Sequence, residues 1–191
     1  MILKKIAESV TKPLSFNRLS NILKSAGAVL GKQTVINYVG YMMDSYMLFT
    51  LQNYAAKLVE KETSPKYYFM DTGLLGLMLM DCSSAQLENL VAIELIRRYG
   101  RENVFYFEKN VEIDFYVPEE KLAIQVSLQV LDQIDTRERE IGAFVKLKNF
   151  IGDATCLLIT NSEEEELGYE GVHVSVVPVW KWLLQNRKQD I

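Results

Sequence analysis

The chain has 191 residues, enough for one large domain or two small ones with a proper core. Hydrophobic residues make up 49% and charged ones 24%, and no apolar run approaches the ~20 residues of a membrane span. A net charge of −4 excludes nucleic-acid binding driven by overall electrostatics, although residues 1–61 hold eight Lys and Arg against three acids.

Taken in chain order, the first elements are helical. Ile2, Ile6 and Val10 recur at four-residue spacing until Pro13 ends the pattern. Ser15 is placed to cap a second helix that carries Phe16, Leu19, Ile22 and Leu23 and stops near Gly27. A third apolar stripe, Val35, Tyr38, Val39 and Met42, predicts a helix over Thr34–Asp44. Tyr46–Leu51 and Lys66–Met70 read as strands joined by a polar loop, Glu60–Pro65. Three helices followed by a hairpin is the winged-helix order. Its third helix would offer Lys32, Gln33, Thr34 and Asn37 to DNA, or present them as the solvated face of a protein-interaction module.

Asp71–Gly76 reads as a short connector, followed by a long helix with Leu87, Leu90, Val91, Leu95 and Ile96 on one side, ending at Gly100. Strands are expected at Val104–Phe107, Val111–Val117 and Leu122–Val126, then a helix across Ile134–Phe150. Strands at Thr155–Thr160 and Val172–Val177 and a helix from Pro178 complete the chain. The run Glu163–Glu166 reads as a solvated loop. This order implies an α+β or α/β class: a winged helix over residues 1–80, then over 81–191 a mixed sheet flanked by helices.

Cys82 and Cys156 lie far apart without a CxxC pattern, and no secretory signal is visible at Met1–Ile6. Together these suggest reduced thiols in a cytoplasmic protein. The single histidine, His173, alternates within a strand and reads as structural. Tyr38, Tyr41, Tyr46, Phe49 and Tyr54, with Met42, Met43 and Met47, read as core, with any surplus available to a subunit or partner interface.

Two strands each deliver a polar residue from an apolar run: Asp114 between Ile113 and Phe115, and Gln125 between Ile124 and Val126. Such a group costs about 1–3 kcal/mol unless something satisfies it. Residues i and i+2 of a strand share a face, so Gln125 and Ser127 point together. Glu88 on the preceding helix is a third candidate. Glu94, six residues on, is rotated by about 240°, so the two cannot face one metal equally. This arrangement resembles the PD-(D/E)XK, or restriction-endonuclease-like, core. That fold places an acid at the Asp114 position and an acid, x, Lys at Gln125-Val126-Ser127 to hold Mg²⁺ or Mn²⁺ and orient a water.

Leu87–Leu95, Glu112-Ile113-Asp114-Phe115, Ile124-Gln125-Val126-Ser127, Thr136–Glu140 and Val177–Leu184 together resemble the C-terminal domain of a family of prokaryotic AAA+-type ATPases. The resemblance extends over the helical lead-in and over Tyr68–Leu74. It implies a domain of unknown function, a winged helix plus a degenerate nuclease, working beside an ATPase module. No GxxxxGK[ST] loop occurs; Gly31-Lys32 is followed by Gln33 and lacks the earlier glycine. ATP hydrolysis by that mechanism is therefore excluded for these residues, and the ATPase would be supplied by the same polypeptide or a partner.

Three functional readings follow. The first is a non-catalytic regulatory module that docks DNA or a protein. The second is a metal-dependent DNA nuclease with Glu88, Asp114 and Gln125 as ligands and Lys109, Lys121, Arg137 or Arg139 replacing the missing lysine. The third is a homo-oligomer-forming structural role.

Overall fold

The helical spacing near the N-terminus builds helices, some shorter than the pattern allows. In the computed structural model, which describes residues 1–57 and 64–185, α1 spans only Ile2–Ala7. Thr11 at φ 78° turns the chain before Pro13 is reached. Helix α2 (Phe16–Ser25) starts where Ser15 Oγ accepts the Arg18 N–H at 3.2 Å. It ends at Gly27, φ 86°, with Ala28 N–H bonded to the Leu23 carbonyl and Gly27 N–H to that of Lys24. That left-handed C-terminal turn is what a glycine permits without cost. Helix α3 (Lys32–Asp44) buries Val35 and Val39 but leaves Tyr38 exposed, unlike the expected stripe.

Strands β1 (Leu48–Asn53) and β2 (Lys66–Phe69) pair antiparallel, from Leu48↔Phe69 to Leu51↔Lys66. β1 starts two residues later than expected, because Tyr46 takes a positive φ of 56° and is exposed. Of the expected loop Glu60–Pro65, only Ser64 and Pro65 fall within the described residues. The expected connector at Asp71 is instead a short helix, α4 (Thr72–Met78), capped by Asp71 Oδ1 accepting the Gly73 N–H at 2.7 Å. Helix α5 (Ser83–Tyr99) follows. Chain contacts divide at Ile93/Glu94 into two units, so α5 contributes to both. Ile6, Leu19, Leu23, Val35, Val39 and Phe69 form the dry core of the first unit. Each such side chain contributes about 1.5–3 kcal/mol of hydrophobic burial.

In the second unit, β3 (Phe105–Glu108), β4 (Glu112–Val117) and β5 (Leu122–Val126) form an antiparallel meander. Helix α6 (Ile134–Ile151) crosses over to β6 (Thr155–Thr160), which runs parallel to β5. A parallel neighbour requires such a crossover. β8 (Val172–Pro178) adds in parallel to β6, and β7 (Glu165–Tyr169) pairs antiparallel with β8, giving the order β3-β4-β5-β6-β8-β7. The last helix, α7 (Val179–Leu184), packs on β8 and β6.

β7 corrects the reading of Glu163–Glu166 as a loop at Glu165 and Glu166, whereas Glu163 and Glu164 do lie in the loop before it. Only one of its five side chains, Leu167, is buried, which leaves no apolar run to detect. Glu163 is not merely solvated either: its carboxylate accepts the Val130 N–H at 2.6 Å and the Leu131 N–H at 3.2 Å. The protein is a mixed α+β chain, with a two-stranded hairpin in one unit and a six-stranded mixed sheet in the other.

Candidate functional site

The pairing of β4 with β5 runs Val117↔Leu122, Tyr116↔Ala123 and Phe115↔Ile124, then stops. Both strands continue beyond that point, β4 back to Glu112 and β5 on to Val126. Side chains replace the ladder in this gap. The Asp114 N–H donates to Gln125 Oε1 at 2.8 Å, Gln125 Nε2 donates to the Glu112 carbonyl at 3.2 Å, and the Val126 N–H donates to Asp114 Oδ2 at 2.9 Å. Gln125 is 5% exposed, so its amide has almost no water to substitute for these partners. The two residues singled out from the sequence are thus brought together, as a clasp between splayed strands.

One oxygen each of Asp114 and Gln125, two of the three expected ligands, already accepts a backbone N–H. Among the described residues, no group of three or more His, Cys, Asp or Glu side chains is placed to hold a metal ion. The Asp114 and Gln125 oxygens are engaged by the strand backbone, which weakens them as ligands for Mg²⁺ or Mn²⁺. Ser127, at the lysine position, donates its hydroxyl to the Gln129 carbonyl at 3.0 Å.

Helix α6 adds a residue that sequence reasoning did not select. Glu140 is 7% exposed, and Arg139 donates to its Oε1 through Nη2 at 2.6 Å. Burial pushes the Glu140 carboxyl above its usual range; Arg139 opposes this, while the charges of Asp114 and Glu112 reinforce it. The signal available in the sequence was weak: Glu140 sits in an Arg-Glu-rich helix opening that looks like an ordinary solvated face. Arg139 is occupied by this pairing, and Lys109 lies 5.6 Å from the centre of the Phe150 ring.

Glu88 belongs to the first unit, where it meets other partners. Tyr68 donates its hydroxyl to Glu88 Oε1 at 2.7 Å, and Lys66 Nζ lies 3.9 Å from the same oxygen. Lys66 is fully buried, and next to it burial pushes the Tyr67 hydroxyl up to about 12. A lysine opening the apolar run Lys66-Tyr67-Tyr68-Phe69 was the readable clue to a buried ion pair. Asn89, also fully buried, accepts the Phe69 N–H at 2.7 Å and donates to its carbonyl at 2.8 Å. One amide side chain thereby closes the open edge of β2 as another strand would.

Glu94, in the second unit, is committed to arginine. It receives Arg97 Nε and Nη2 at 2.7 and 2.8 Å and Arg98 Nε at 2.6 Å. Arg97 holds its carboxyl below the usual range; burial opposes this, and Arg98 adds to the lowering. Arg98 also donates to the Trp182 carbonyl at 2.9 Å and lies 4.1 Å over the Trp182 ring, tying α5 to α7.

Lys32, Gln33, Thr34 and Asn37 are all exposed on α3, with Gln33 Nε2 donating to Asn37 Oδ1 at 3.1 Å. The aromatic group divides: Phe49 is buried and stacks on Tyr68, whereas Tyr38, Tyr41 and Tyr46 are exposed. His173 is exposed, with Nε2 3.4 Å from Glu166. A cavity of about 340 Å³ in the second unit is lined by Phe144, Leu147, Lys148, Cys156 and His173, away from Asp114 and Gln125. Burial pushes the Cys156 thiol up to about 11. Cys82 and Cys156 are free thiols, and among the described residues no helix is long and apolar enough to cross a membrane.

Residues 1–85 match a family described as Domain of unknown function (DUF8612), a span that covers most of the first unit. The chain is also similar to an uncharacterized protein of Methanocaldococcus jannaschii, 32% identical over 183 residues. That match covers 90% of this chain and 41% of the relative, so the chain spans less than half the relative's length. Neither description names an ATPase. No solved structure matches the chain.

Proposed function

We propose that this chain is a non-catalytic binding module that works beside an AAA+-type ATPase. Its first unit is read as a winged helix that docks DNA through α3, and its second as a restriction-endonuclease-like domain that does not cleave. The observation that carries this reading is the clasp. A nuclease keeps its carboxylate and amide oxygens open toward a metal, whereas here Asp114 and Gln125 hold β4 to β5. With Ser127 bonded within its own turn, no lysine stands at that position to orient a water.

Two further points support the partners. More than half of the archaeal relative lies outside the match, which leaves room for an ATPase module. The first unit holds nine basic against seven acidic residues, the second twelve against eighteen, so the positive charge lies with the helices read as DNA-binding. The test is to incubate the purified chain with labelled duplex and branched DNA, with and without Mn²⁺, beside an Asp114→Ala variant. Binding without cleavage is expected. Cleavage that requires both Mn²⁺ and Asp114 would overturn the reading in favour of a nuclease. Absence of both would leave a protein-interaction domain.

A further inference from the structure

The outward face of α3 has a composition that a solvated helix does not need. At 100° per residue, Gln33, Asn37, Tyr41 and Thr34 fall on the side away from the buried Val35 and Val39, with Tyr38 at its flank, about 60° from Val35. Tyr38 is 46% and Tyr41 64% exposed, and their rings meet edge to face, with centroids 6.4 Å apart at 81°. An edge-to-face pair leaves a ring face open to a third planar group. The amide and hydroxyl side chains beside them carry both donors and acceptors.

The surrounding charge narrows the class of that planar group. From Ser9 to Met43, a stretch of 35 residues, there is no Asp or Glu, while Lys12, Arg18, Lys24 and Lys32 are all present and exposed. At the chain's average of 25 acids in 191 residues, such a stretch would hold about five. This tract contains the whole of α2 and all of α3 except its last residue, Asp44. An acid-free, moderately basic surface is complementary to a polyanion, and the exposed tyrosine pair within it adds a stacking surface that suits one carrying planar bases.

We propose that this face binds unpaired nucleic-acid bases, with Tyr38 and Tyr41 as the stacking platform. Gln33, Thr34 and Asn37 bond base edges, and Lys24 and Lys32 neutralise phosphates. In a duplex the base faces are hidden, so two exposed tyrosines would gain only edge contacts; in a single strand or a gapped or branched junction the faces are available. This rests on the reading of the first unit as a DNA-docking module and specifies the strand state it docks.

The experiment uses the full chain with a 2-aminopurine-labelled single-stranded oligonucleotide and the matching duplex, followed by anisotropy and by 2-aminopurine quenching. The proposal expects the single strand to bind at least ten-fold tighter than the duplex, with quenching. Tyr38→Ala/Tyr41→Ala should abolish the quenching and weaken single-strand binding at least ten-fold, leaving duplex binding unchanged. Tyr38→Phe/Tyr41→Phe should retain both signals, since the ring is what stacks. Because both side chains are exposed, an unchanged thermal midpoint will show that the variants are folded. Equal binding of both probes without loss in the alanine variant overturns stacking but leaves DNA docking intact. Failure to bind either probe overturns both readings and assigns the face to a protein partner.

Discussion

Gln125→Leu separates a strand-closing glutamine from an idle one. Leucine has similar volume, so no cavity accompanies the change. What is lost is the acceptor for the Asp114 N–H at 2.8 Å and the donor to the Glu112 carbonyl at 3.2 Å. Each neutral bond is worth about 1 kcal/mol net, and a backbone group left desolvated costs about 1–3 kcal/mol. With Gln125 only 5% exposed, the upper part of that range applies to the Asp114 N–H, giving about 2–4 kcal/mol in all. For a chain of this length that lowers the melting midpoint by about 5–12 °C. Both tryptophans, Trp180 and Trp182, lie in the second unit, so their fluorescence during urea or thermal unfolding follows the unit that contains Gln125. A loss below about 0.5 kcal/mol would show that the clasp contributes nothing, and would remove the main reason for denying Gln125 a role as ligand.

Two other substitutions check neighbouring claims. Asn89→Ala strips both partners from the Phe69 backbone and should destabilise the first unit by about 2–4 kcal/mol, read as faster amide exchange across β1 and β2. Glu94→Gln should cost about 1–2 kcal/mol at pH 7. Because the folded Glu94 carboxyl titrates below its ordinary value, its contribution is complete above the unfolded carboxylate pKa. It disappears as pH falls through the lower folded one. Wild type and variant should therefore converge in urea unfolding at acid pH, and a gap that stays constant down to pH 3 would contradict the arginine pairing.

Local pattern was enough for most elements. β5 and β6 fall where the apolar runs place them, and the Ser15 cap forms as its position before Phe16 requires. The failures share a cause. β7 and α4 were missed because neither gains its place from its own hydrophobic periodicity; one is held by pairing with β8, the other starts at an Asp71 cap. The pairing of Asp114 with Gln125 was legible because two polar residues in adjacent apolar strands need each other. The details were not, since nothing in the sequence says that the strands splay after Phe115↔Ile124.

The sequence by itself determined the order of the helices and strands that carry their own apolar pattern, and most of the aliphatic side chains that are buried. It also determined two polar strand residues, Asp114 and Gln125, that need partners. Periodicity and desolvation act on each residue through its nearest neighbours in the chain, and are readable there. Tertiary structure alone decided the partners of the other buried polar groups. Glu88 found Tyr68 and Lys66, and Glu140 was drawn to Arg139 near Asp114 and Glu112. A buried charge is satisfied by whichever group the packing brings within a few ångströms, and that distance is set by strand register and helix docking rather than by spacing along the chain.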